Sequence, residues 1–61
     1  MSNPYDQQLI SALLKAADRL TAAELARALH WSRTRVRKAL TDLELSRQVA
    51  HHPDRTWEKI Q

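Results

Sequence analysis

Between Leu25 and Thr41 the chain carries five Lys and Arg side chains, Arg27, Arg33, Arg35, Arg37 and Lys38, and no acid. The whole 61-residue sequence nets only +3, from ten Lys and Arg against seven Asp and Glu. One stretch therefore holds more positive charge than the chain as a whole. Local potential, rather than net charge, is what draws in a polyanion. Arginine adds geometry to charge, because its planar guanidinium donates paired hydrogen bonds to phosphate or to the O6/N7 edge of guanine. The plainer alternative for such a run is a solvated helix face.

Other reactive side chains are sparse. His51 and His52 are adjacent, and neighbours on a strand point to opposite faces, so the pair does not readily chelate one ion. The sequence has no cysteine and no further His at ligand spacing, so neither a metal nor a cofactor is expected. The two histidines can instead lend pH-sensitive charge to their strand. A nucleophile–base pair with a supporting carboxylate is missing, and a chain without glycine has no phosphate-cradling glycine loop. Catalysis is not expected.

The elements that must position the basic run can be read from caps and periodicity. Asn3 can cap a helix that starts at Pro4, where the missing N–H costs nothing, with Asp6 favourably placed in the first turn. Leu9, Ile10, Leu13, Leu14 and Ala17 share one face, giving helix 4–17. Its apolar arc is wide, covered on both flanks by other elements or contacting a second copy at one edge. Asp18, Arg19 and Leu20 read as a connector. Thr21 and Glu24 form a capping box, with Leu20 and Leu25 at the spacing of a hydrophobic staple. Helix 22–29 follows, turning Leu25, Ala26 and Leu29 inward. Trp31, in the next turn, is expected to half-cover the core edge. Ser32 caps a third helix, 33–45, whose apolar face is Val36, Ala39, Leu40 and Leu43. Arg47 falls where a helix exit wants a left-handed residue, a conformation that strains anything but glycine.

Residues 49–60 then read as a two-stranded hairpin around Pro53, Asp54 and Arg55. Trp57 and Ile60, three apart, cannot share one face of a regular strand. Either a bulge intervenes or one of them is exposed, and Trp57 is the expected core residue. With the inward residues of the third helix fixed, Thr34, Arg37, Lys38 and Thr41 point outward and Arg33 and Arg35 flank them. Asp42 and Glu44 close the patch, with local pairing to Lys38 or Arg47 expected. Leu45 is expected to lie exposed.

Length and composition bound the rest. Sixty-one residues make one domain, 1–61, and with 43% hydrophobic residues and no cysteine it must fold by apolar packing alone. No apolar run approaches the ~20 residues of a membrane span, and the start lacks a signal-peptide pattern. A soluble, cytoplasmic protein is the expectation.

Helix, short helix, turn, basic helix and hairpin is an order that resembles the winged helix-turn-helix family over nearly the whole chain. Thr21-Ala22-Ala23-Glu24-Leu25-Ala26 with Leu29 looks like the second helix of many bacterial regulators of this family. Leu40, Leu43, Glu44 and Val49 match its usual exit from the recognition helix, although Arg47 stands where members have Gly. The resemblance implies an α+β, mostly helical fold of three helices and a C-terminal two-stranded wing. It implies binding of double-stranded DNA through Arg33, Thr34, Arg35, Arg37, Lys38 and Thr41, with Arg55 on the wing touching backbone. A small transcriptional regulator, or the N-terminal DNA-binding module of a larger one, is the expected role, with a possible homodimer when bound. A narrower layout is similar to the Z-DNA-binding Zα domains, placing Arg33, Thr34, Arg37 and Lys38 at phosphate-contacting positions. Arg37 replaces that family's Asn, Thr41 replaces its stacking Tyr, and the wing lacks its double Pro, so B-form duplex is the better target. Winged helices also dock on proteins, and basic ones engage RNA. Those are the alternatives.

Overall fold

The computed structural model describes residues 2–60. Three helices, α1 (Pro4–Ala17), α2 (Ala22–Leu29) and α3 (Arg33–Leu45), are accompanied by three strands, β1 (Arg19–Thr21), β2 (Val49–His51) and β3 (Thr56–Lys59). Each helix starts where its cap dictates. The Asp6 N–H donates to Asn3 Oδ1 at 2.8 Å, and the Arg35 N–H donates to Ser32 Oγ at 3.2 Å. Thr21 and Glu24 complete the capping box in both directions, at 2.8 and 3.1 Å. These bonds satisfy N–H groups that the first turn of a helix leaves without a partner.

Helix exits are made without glycine. His30 (φ 58°) ends α2 and Arg47 (φ 61°) follows α3, both left-handed. At these two exits a pair of backbone bonds closes a Schellman motif, Trp31 N–H to Ala26 O and His30 N–H to Arg27 O, then Gln48 N–H to Leu43 O and Arg47 N–H to Glu44 O. The strain expected at Arg47 is therefore present, and His30 has the same conformation.

The sheet has three strands rather than two. Arg19–Thr21, which reads as a connector, pairs antiparallel with β3 in the order β1-β3-β2, with Leu20 opposite Trp57 and His51 opposite Trp57 on the other side. Three residues are too few to show an alternating pattern, and their partner lies some 37 positions away, so only the folded chain reveals the pairing. The wing is thereby anchored to the entry of α2.

The core joins Ile10 and Leu14 of α1, Leu25 and Ala26 of α2, the expected Val36, Ala39, Leu40 and Leu43 of α3, Val49 of β2 and Trp57 of β3. Leu9 is half-buried and Ala17 exposed, so the buried stripe of α1 is narrower than its apolar face. Of the two residues that cannot share a face, Trp57 goes inward, and Ile60, beyond the end of β3, stays exposed. No helix among the described residues is long and apolar enough to cross a membrane.

Candidate nucleic-acid interface

At 100° per residue, positions 33, 37 and 41 form one row along α3, roughly 12 Å long. Arg33, Arg37 and Thr41 occupy it and line a cleft of about 710 Å³. The opposite wall is the wing, which contributes His51, Arg55 and Trp57, and the rim is the start of α2, at Thr21, Ala22 and Ala23. Three arginines from two elements thus converge on one open concavity with no carboxylate among its lining residues. Among the described residues, the Lys and Arg ion pairs are Arg19–Glu58 and Arg35–Asp6, and neither involves Arg33, Arg37 or Arg55. Arg33 and Arg37, one turn apart, carry a like-charge repulsion that an anion between them would relieve. Thr34 and Lys38 lie exposed on the adjoining row of the same helix.

Arg55 reaches the cleft from the turn between β2 and β3, where its φ of 72° sets the chain's reversal. Asp54 holds that turn by accepting hydrogen bonds from the Thr56 hydroxyl and the Thr56 N–H. The hydroxyl bond, then the backbone bond, lowers the Asp54 carboxyl from its ordinary value. His51 and His52 diverge as adjacent strand residues must. The His51 imidazole stacks on the Trp57 indole, centroids 4.0 Å apart and planes within 4°, whereas His52 Nε2 meets Glu58 Oε1 at 2.7 Å. Among the described residues no group of three or more His, Cys, Asp or Glu is placed to hold a metal ion.

Arg35 goes elsewhere. Its Nε and Nη2 donate to the two Asp6 oxygens at 2.9 and 2.8 Å, a bidentate bridge from α3 to α1. The guanidinium also lies 3.8 Å from the centroid of the Trp31 ring. Asp6 is buried, and the Arg35 hydrogen bonds hold its carboxyl below the usual range against the opposing pull of desolvation. The same bonds raise Arg35 further. Arg35 thus does not line the cleft. The Asp6 side chain was legible only as a favourable charge in the first turn of α1, since its partner lies 29 positions along the chain.

Asp42 likewise departs from the expected pairing with Lys38 or Arg47. Its Oδ2 accepts from both the Ser2 hydroxyl and the Ser2 N–H at 2.7 Å, the hydroxyl bond first and the backbone bond second lowering its carboxyl. Ser2 lies just ahead of α1, and α1 packs against α3. Leu45 is 77% exposed on α3, as its position on the outward face implies.

Three helices, a short antiparallel sheet and a basic third helix facing a wing define a winged helix. The chain belongs to the DprA winged helix domain family, whose model matches residues 2–55. No curated protein and no solved structure matches it.

Proposed function

We propose that this winged helix is a binding module, not an enzyme, and that its ligand is B-form double-stranded DNA held by α3 and the wing. The observation that carries the reading is the cleft in which Arg33, Arg37 and Arg55 converge with no carboxylate to neutralise them. In this assignment α3 enters the major groove, with Thr34, Lys38 and Thr41 on the outward face, and Arg55 holds the flanking backbone. Arg35, fixed to Asp6, positions α3 and does not touch DNA. Thr41 offers no stacking ring at the Tyr position of Zα domains, which favours the B-form. A single small module binds modestly, so specific recognition calls for two half-sites and a homodimer on DNA, or for further domains. The biological setting that fits is a cytoplasmic regulator of transcription or the DNA-binding part of one. Leu45 favours a second reading, a protein partner docked on the outward face of α3, and in that case Leu45→Ser would abolish the interaction.

Amide-shift mapping with a short duplex of random sequence separates these readings. Shifts at Arg33–Thr41 and around Arg55 that shrink with added salt are expected for phosphate contact. Shifts confined to α1, or none at low salt, would overturn the DNA reading.

A further inference from the structure

The cleft contains one feature that an intact duplex does not use. His51 and Trp57 stack in parallel at 4.0 Å on adjacent strands, and both line the concavity that the arginines surround. Trp57 is sunk in the core and supplies a rigid base. It covers one face of the imidazole, while His51 itself is exposed. A planar ring fixed on one side and open on the other is a stacking platform. Paired bases inside B-form DNA already stack on their neighbours and cannot reach it. An unpaired base can, since every base has a π-face, and stacking on an aromatic or His ring is a sequence-tolerant source of affinity.

We infer that the cleft is a site for one unpaired nucleotide, its base on the His51–Trp57 stack and its phosphate among Arg33, Arg37 and Arg55. The inference rests on the nucleic-acid reading above and adds the form of its ligand, a base freed from pairing beside an anionic phosphate. The volume, about 710 Å³, is of the size that holds a small ligand. That chemistry has two sources, a frayed or overhanging nucleotide on a duplex and a free mononucleotide.

The test compares a blunt duplex, the same duplex with a short adenine overhang, and deoxyadenosine monophosphate alone, read by binding titration and by the Trp57 indole N–H resonance. The overhang is expected to tighten binding about fivefold or more, the lower range for stacking one base. His51→Ala should bring the ratio of overhang to blunt affinity to one, and His51→Tyr, which keeps a ring, should restore it. A shift of the Trp57 resonance by millimolar mononucleotide supports the site and adds the free nucleotide as a source. With no such shift, an overhang gain assigns the site to nucleic-acid ends. Equal affinity for blunt and overhanging duplex with no response to the mononucleotide would overturn the inference and leave duplex binding intact. A gain that survives His51→Ala would overturn it too. If no DNA binds at all, the duplex reading falls and this one with it.

Discussion

Arg35 and Arg37 are two residues apart on the same helix, and the structure sends them to opposite tasks. Two steps of 100° turn their side chains some 200° apart. Arg37 faces the wing across the cleft with no acid among its neighbours there. Arg35 faces α1, where the Asp6 carboxylate takes two of its nitrogens and Trp31 lies against its plane. Charge clustering in the sequence marks the segment, but only the placement of acids separates a cation that can meet a phosphate from one already matched. In the proposed function the first kind carries binding. The second holds the helix that carries it.

The largest stability effect should come from breaking the second kind. Arg35→Ala leaves Asp6 buried without its partner, and loss of one member of such a pair is destabilising. A marked fall in the thermal midpoint is expected, with Asp6→Ala close behind and the double variant less than additive. Arg37→Ala should not lower the midpoint, and loss of its repulsion with Arg33 is worth a gain of about 0.2–0.5 kcal/mol. Equal midpoints for the two arginine variants would erase the distinction.

Acid titration sharpens the same contrast. Asp6 is lowered by Arg35, so its contribution is full above the ordinary aspartate value of about 4 and disappears as pH falls through the lower folded value. Asp42 and Asp54, lowered by Ser2 and Thr56, add to the same acid limb. Stability of the wild type should therefore fall below about pH 4, and Asp6→Asn should flatten that fall while starting from a lower plateau. An unchanged limb in Asp6→Asn would remove the carboxylate from the account.

A further contrast concerns arginines in left-handed backbone. Arg47 and Arg55 both have positive φ, and glycine relieves the steric cost at a price in chain entropy. Arg47→Gly should stabilise by about 0.5–1 kcal/mol and leave DNA affinity alone, as Arg47 lies outside the cleft. Arg55→Gly should stabilise similarly but weaken binding, which denaturant melts and titrations of both variants would check.

How much of this was legible depended on sequence distance. The bounds of α1, α2 and α3 follow from Asn3, Thr21 with Glu24, and Ser32, because a cap and its helix are neighbours. The inward face of α3 follows from its period, and with it the outward placement of Arg37 and Thr41, with Arg33 flanking them. Strand β1 was not legible, since Arg19–Thr21 becomes a strand only beside Thr56–Glu58. Asp6 with Arg35 and Ser2 with Asp42 are also matches between distant segments, and the second replaced the expected pairing of Asp42 with Lys38 or Arg47. Arg55 could be placed at the wing tip, but the fact that it shares a cleft with Arg33 and Arg37 needed the fold.

The central claim is that the cations facing the wing hold phosphate while Arg35 does not. Its most direct test is the salt dependence of duplex affinity for the wild type, Arg37→Ala and Arg35→Ala, at a temperature where all three are folded. Each phosphate contact adds about 0.9 to the slope of log affinity against log salt. Arg37→Ala should lose about that much slope, and Arg35→Ala should retain the wild-type value. A slope that drops for Arg35→Ala and stays unchanged for Arg37→Ala would contradict the account.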